Sequence, residues 1–104
     1  MIIDERTYTC HPGRVKTFLD VYERLAKPIQ WPILGEPIGF FVTEVGTLNQ
    51  VVHWWRFESM GDREQRRAKL QAEPDWPAYL EAATPNLIRM ENRILVPTAF
   101  SPMK

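Results

Sequence analysis

The chain alternates between stretches whose apolar residues follow strand spacing and stretches that follow helix spacing. Residues 2–10 are rich in Ile, Thr and Tyr and end before a Pro-Gly pair at 12–13, which predicts a first strand and a turn. An apolar helical stripe follows, made of Val15, Phe18, Leu19, Tyr22, Leu25, Ala26 and Ile29. We expect Pro28 and Pro32 to end or kink this helix, because proline lacks an amide donor and clashes with the preceding turn.

Two further runs, at about 37–45 and 50–58, combine aromatic and β-branched residues and predict two strands. Residues 46–49 join them, and their glycine and asparagine are typical of a hairpin turn. Ser59 followed three places later by Asp62 resembles a capping box, which predicts the start of a second helix.

The second helix and a last strand complete the order βαββαβ. The helix reaches about Ala72, and its apolar face continues with Trp76, Tyr79, Leu80 and Ala83. The last strand covers about 86–96 and stops at Pro97. This order predicts an α+β, ferredoxin-like sandwich, in which one antiparallel four-stranded sheet has two helices on one face. We expect a single domain over 1–97 and an extended C-terminal tail over 98–104.

The third strand predicts a homodimer or a higher even oligomer. Both of its faces carry bulky side chains, with Val51, His53, Trp55 and Phe57 on one face and Val52 and Trp54 on the other. A sheet that is apolar on both faces needs two covers, and the two helices supply only one. A second copy of the chain is therefore expected on the open face, with the two sheets packed face to face.

Composition and charge exclude several classes of function. The 13 Lys and Arg balance the 13 Asp and Glu, which disfavours nucleic acid as a partner. No stretch approaches the roughly 20 apolar residues of a membrane span, and no targeting segment is recognisable, so a cytoplasmic protein without membrane insertion is expected. One cysteine and two distant histidines give no metal-ligand spacing, and the isolated glycines form no phosphate loop. We therefore expect neither a metal nor a cofactor.

The last strand carries the clearest polar pattern. Arg89, Glu91 and Arg93 share one face of it, whereas Ile88, Met90, Ile94 and Val96 share the other. We expect the apolar set to contact the helices and the charged set to lie on the open face. There the charged set either binds an anionic or hydroxylated small molecule or forms a structural ion-pair network.

His53 is the candidate general base, because its ordinary pKa lies near neutrality. In that role it needs a carboxylate to orient it, such as Glu91, and an enclosed pocket. The alternative is a structural histidine with one hydrogen-bond partner. The full candidate pocket for a small ligand consists of Arg6, Tyr8, His53, Trp55, Arg89, Glu91 and Arg93.

Cys10 is predicted to be an inert packing residue rather than a thiol nucleophile. We expect the first and third strands to run parallel, which would put Cys10 near Phe57 and far from His53. The basic segment formed by Arg63, Arg66, Arg67 and Lys69 is interpreted as a solvated helix face, because acidic residues are interspersed with it.

Several runs in order make the chain resemble the NIPSNAP family. They are TYT at 7–9, PG at 12–13, TEVGTLNQVVHWW at 43–55, PDW at 74–76 and ENRILVP at 91–97. The resemblance covers nearly the whole chain and implies a dimeric α+β barrel. It implies no reaction, since the family has no generally accepted one. Related barrels include cofactor-independent monooxygenases, small isomerases and haem-handling enzymes, but this is an analogy at the level of the fold.

Three functions remain open from the sequence. The leading hypothesis is a homodimeric module that binds a small ligand or a protein partner. The alternative is a small cofactor-independent enzyme, monooxygenase-like or isomerase-like, acting on a hydrophobic oxygenated substrate in the barrel cavity. A purely structural assembly protein is the third.

Overall fold

The computed structural model describes residues 1–104 and consists of one four-stranded sheet with helices packed against it. The strands are β1 (Ile2–Cys10), β2 (Gly39–Val42), β3 (Gln50–Phe57) and β4 (Leu87–Leu95). The helices are α1 (Val15–Val21), α2 (Lys27–Leu34), α3 (Met60–Gln71) and α4 (Trp76–Ala83). The strand order is β2-β3-β1-β4, and the predicted ferredoxin-like α+β fold is confirmed.

All neighbouring strands are antiparallel, so the expectation that the first and third strands run parallel is wrong. The β2–β3 hairpin reverses the chain before β3 joins β1, which makes β3 antiparallel to β1. Arg6 therefore pairs with His53, and the amide of Cys10 donates to the carbonyl of Asn49 at 2.8 Å. Cys10 lies beside the start of β3 rather than near Phe57.

The first helix does not end at its prolines. A π-helical segment, Tyr22–Ala26, follows α1, and α2 continues from Lys27 to Leu34. Pro28 occupies the first turn of α2, where no amide donor is needed, and the wider turn before it makes room for the ring. The helix ends at Gly35, whose φ of 89° suits a residue without a side chain.

The predicted start of the second helix is confirmed. The Ser59 hydroxyl accepts a hydrogen bond from the amide of Asp62 at 3.1 Å, and the Asp62 carboxylate accepts from the amide of Glu58 at 3.0 Å. These two bonds satisfy amide groups at the helix start. The hairpin strand β2 is shorter than predicted, because residues 43–49 form a longer loop in which Gly46 and Asn49 have positive φ.

The alternation of side chains gives the sheet two different faces. The helix-covered face carries Asp4, Arg6, Tyr8, Val51, His53, Trp55 and Phe57. The open face carries Glu5, Thr7, Val52, Trp54, Arg89, Glu91 and Arg93. Met90 and Ile94 share the helix-covered face as predicted, but half of Met90 is exposed because β4 is an edge strand. Ile88 and Val96 are mostly exposed, so the expectation that the whole apolar set contacts the helices is wrong. No helix or strand follows Leu95, and the domain boundary at 97 stays a prediction.

Candidate functional site

A cavity of about 280 Å³ lies between the helix-covered face and the helices. Its inner wall is aromatic and includes the buried Trp55, Trp76 and Tyr79. Its mouth is formed by exposed side chains, among them Leu80 and Met90. A mainly apolar wall with a few polar groups is the usual composition of a small-molecule site.

His53 projects from the middle of β3 into this wall and is only 2% exposed. Phe40 stacks on its imidazole with ring centroids 4.4 Å apart, and the Tyr8 ring meets it edge-on at 4.7 Å. The Trp55 indole Nε1–H donates to His53 Nδ1 at 2.6 Å. The other ring nitrogen, Nε2, is buried and has no hydrogen-bond partner.

These contacts define the protonation state of His53. Nδ1 accepts from an indole, which can only donate, so the proton of the neutral imidazole lies on Nε2. Burial, assisted by the positive charge of Arg6, lowers the pKa of His53 to about 3. His53 therefore lines the cavity as a neutral imidazole, and its Nε2–H is a buried donor without a partner. This arrangement does not favour the predicted role of general base, because neither nitrogen is free to accept a proton from a substrate.

A buried carboxylate organises the charged end of the cavity. Asp4 Oδ2 accepts from Arg6 Nη1 at 3.2 Å and from Arg63 Nε at 3.0 Å, and Oδ1 accepts from Asn92 at 3.1 Å. Burial alone would raise the pKa of Asp4, but these hydrogen bonds and charges outweigh it and lower the pKa. Arg6 Nε also donates to the Tyr8 hydroxyl at 2.9 Å.

Arg67 is the one arginine of α3 that reaches the cavity without a carboxylate. Arg63 pairs with Asp4 and Arg66 pairs with Asp62, whereas Arg67 forms no ion pair. Burial and the repulsion of Arg6 and Arg63 lower the pKa of Arg67. A guanidinium remains charged in a protein, so a positive charge without an ion-pair partner lines the cavity, attracted only at longer range by Asp4.

The π-helical segment supplies a further polar group. It places Tyr22 where its hydroxyl donates to Gln30 Oε1 and accepts from Trp31 Nε1 at 3.2 Å. Both Tyr22 and Gln30 line the cavity. Burial raises the pKa of Tyr22, which keeps its hydroxyl neutral. A local widening of a helix is often found at functional sites, because it reorients the side chains on one turn.

The structure separates the seven predicted pocket residues into two groups. Arg6, Tyr8, His53 and Trp55 line the cavity. Arg89, Glu91 and Arg93 lie on the open face, where Glu91 and Arg93 border a second, polar depression together with Glu5 and Thr7. Glu91 cannot orient His53, because the sheet lies between them. Whether either group binds a ligand stays a prediction.

Three charged residues of the site were not predicted from the sequence. Asp4 was not singled out, and Arg63 and Arg67 were assigned to a solvated face, which is wrong because both turn inward. A signal was present, since residues 63, 67 and 70 recur at helical spacing and Leu70 is buried. Arginines that share a helix face with a buried leucine are expected to point inward and to meet buried acidic or polar groups.

The remaining candidates contribute no chemistry to the cavity. Cys10 is buried with a raised pKa, as burial disfavours the thiolate. It pairs with the start of β3, four residues and roughly 13 Å from His53. No three His, Cys, Asp or Glu side chains are grouped to hold a metal ion. No helix combines the length and apolar character that crossing a membrane requires.

The fold is shared with solved structures. A nipsnap family protein with unknown function from Agrobacterium tumefaciens superposes with a TM-score of 0.93 at 38% identity, covering 100% of this chain and 94% of the other. A candidate antibiotic biosynthesis monooxygenase from Nitrosomonas europaea superposes with a TM-score of 0.67, covering 93% of this chain and 98% of the other. At 6% identity, that second likeness shows the fold alone.

The sequence comparisons agree with these structural neighbours. Human NipSnap homolog 3A is 40% identical over 99 residues, which are 94% of this chain and 40% of that protein. Across the curated relatives the chain spans about one fifth to two fifths of their length. The NIPSNAP family model matches residues 3–102. The chain belongs to the NIPSNAP family, as the runs of residues in its sequence predicted.

Proposed function

We propose that this protein binds a small, mainly apolar molecule with a hydrogen-bond-accepting oxygen in the cavity beneath its helices. The observation that carries the proposal is the Nε2–H of His53, which is buried and unpartnered. Leaving such a donor unpaired costs about 1–3 kcal/mol, and a ligand oxygen that reaches Nε2 through a small displacement of the surrounding rings would recover that cost. The aromatic wall would enclose the rest of the molecule.

The enzyme alternative stays a prediction without specific support. A monooxygenase-like or isomerase-like reaction that uses His53 as base requires an imidazole nitrogen able to accept a proton. Nδ1 is engaged by Trp55, and Nε2 carries the proton. Binding requires only the donor that the geometry supplies.

A fragment screen by thermal unfolding tests the binding proposal. We expect oxygen-bearing aromatic fragments to raise the Tm of the wild type by several degrees at concentrations well above Kd. The H53F variant keeps an aromatic ring against Phe40 but lacks the donor, so the shift should be lost. The matched control is E91Q, which alters the open face and should retain the shift. Equal shifts in H53F and the wild type would contradict the proposal.

We also propose that the open face mediates a homodimer. This face has no helix over it, yet it carries Val52, the half-buried Trp54 and Phe41, whose side chain is 47% exposed. Sedimentation velocity should show a dimer that V52E converts to a folded monomer, because the new carboxylate would be buried only in the dimer. A wild-type monomer at about 100 μM would contradict this proposal. A cytoplasmic location likewise stays a prediction.

A further inference from the structure

The charges around the cavity do not balance. Arg6, Arg63 and Arg67 lie near one buried carboxylate, that of Asp4. Asp4 is already engaged on both oxygens by Arg6, Arg63 and Asn92. His53 is neutral and adds no charge of either sign. The cavity end of the sheet therefore carries more positive than negative charge.

Arg67 is the arginine left without an ion-pair partner. It lies four residues after Arg63 on α3, so both project from the same side of the helix. Arg63 reaches Asp4, while Arg67 lines the cavity and has no carboxylate partner. A half-buried cation close to two others is stabilised by any anion that reaches it, and a guanidinium matches the two oxygens of a carboxylate.

We propose that the ligand is a small organic anion, a carboxylate on an aromatic or similarly apolar body. Its oxygens are bound by the guanidinium of Arg67 and the Nε2–H of His53, and its apolar body lies against Trp55, Trp76 and Tyr79. The volume of about 280 Å³ is at the small end of ligand sites, which suits a molecule of about one ring. This inference rests on the proposed function and adds the charge of the ligand.

The proposed negative charge of the ligand is tested by comparing carboxylic acids with primary amides of the same shape. Benzoate and phenylacetate would be titrated into the protein at neutral pH, each beside its primary amide, with tryptophan fluorescence and calorimetry as readouts. Trp55 and Trp76 line the cavity and report its occupation. We expect the acids to bind at least about tenfold more tightly than the amides, because charge-assisted hydrogen bonds are about twice as strong as neutral ones.

Two substitutions on α3 locate the effect. R67M should reduce the affinity of the acids to that of the amides, and R67Q provides a polar, uncharged alternative if R67M folds poorly. K69M removes the same charge from an exposed position on that helix and should leave the preference intact. Equal losses in R67M and K69M would overturn the proposal, because they would indicate a general charge effect.

The outcomes separate this inference from the proposed function. If the amides bind as tightly as the acids, the cavity is a ligand site but the anion proposal fails. If neither series binds at about 10 mM, both proposals fail for molecules of this size. If acids bind tightly and R67M leaves them unchanged, the assignment of Arg67 is wrong.

Discussion

Asp4 and Glu5 are neighbours in β1 and both are carboxylates, yet the sheet gives them opposite surroundings. Asp4 is 1% exposed and holds two arginines beneath the helices. Glu5 lies on the open face, where it accepts from Trp54 at 3.0 Å and from the mostly exposed Arg93 at 2.7 Å. Carboxylates of similar chemistry therefore form a buried network on one face and, on the other, a pair whose arginine is mostly exposed.

The two faces differ in how strongly their charged groups are held in place. Buried charges must be fully paired, so Asp4 is held rigidly and the cavity beside it is preformed. Exposed ion pairs such as Arg89–Glu91 contribute little, because water competes with them. The open face can therefore exchange its contacts for those of a partner at small cost.

The largest expected contrast is between the two neighbouring tryptophans. W55A should lower the free energy of unfolding by about 3–5 kcal/mol, because it empties a buried site and leaves His53 Nδ1 without its donor. In the V52E background, where the proposed dimer does not form, W54A removes a half-buried side chain from the open face and should cost less than about half of that. Denaturant unfolding of both variants measures the difference, and comparable losses would show that the two faces are equally buried in solution.

The second contrast is between the two carboxylates. D4N should cost about 3 kcal/mol, since it leaves Arg6 and Arg63 buried without a counter-charge. E5Q keeps the shape of the side chain and should cost about 1 kcal/mol or less. Urea midpoints with unchanged m-values provide the comparison. A larger cost for E5Q would contradict the assignment of the two faces.

The smallest expected effect is the change in the free energy of unfolding with pH that His53 causes. The folded protein keeps this pKa at about 3, whereas the unfolded chain titrates at the ordinary value of 6.5. Between these values the unfolded state binds more protons, so stability rises with pH. The contribution is complete above about pH 6.5 and is lost as the pH falls toward 3, at most about 1.4 kcal/mol per pH unit.

Unfolding curves at pH 7 and 5 measure this slope. H53Q can still accept from Trp55 but has no titrating group, so its stability should vary less between the two values. An unchanged slope in H53Q would show that other groups cause the pH dependence.

Much of the fold followed from local pattern. The spacing of apolar residues predicted four strands and the helices between them, and Ser59 with Asp62 located the start of α3, since each signal lies within one or two helical turns. Arg6, Tyr8, His53 and Trp55 share one face because side chains alternate along β1 and β3, and their role in ligand binding stays a prediction. The helix did not end at Pro28 or Pro32, since a π-helical segment precedes Pro28 and α2 continues through Pro32, while a kink at these prolines stays a prediction.

The local sequence pattern could not predict which residues the charged side chains contact. Arg63 and Arg67 look like ordinary surface residues of a charged helix, and the inward direction of Arg63 depends on Asp4, which lies 59 positions away in the chain. The registers of β3 and β4 against β1 put Arg89, Glu91 and Arg93 on the opposite face of the sheet from His53, and these registers depend on strand pairing across the chain. Periodicity is a property of neighbours along the chain, whereas burial, register and the unpartnered nitrogen of His53 arise only when distant segments pack together.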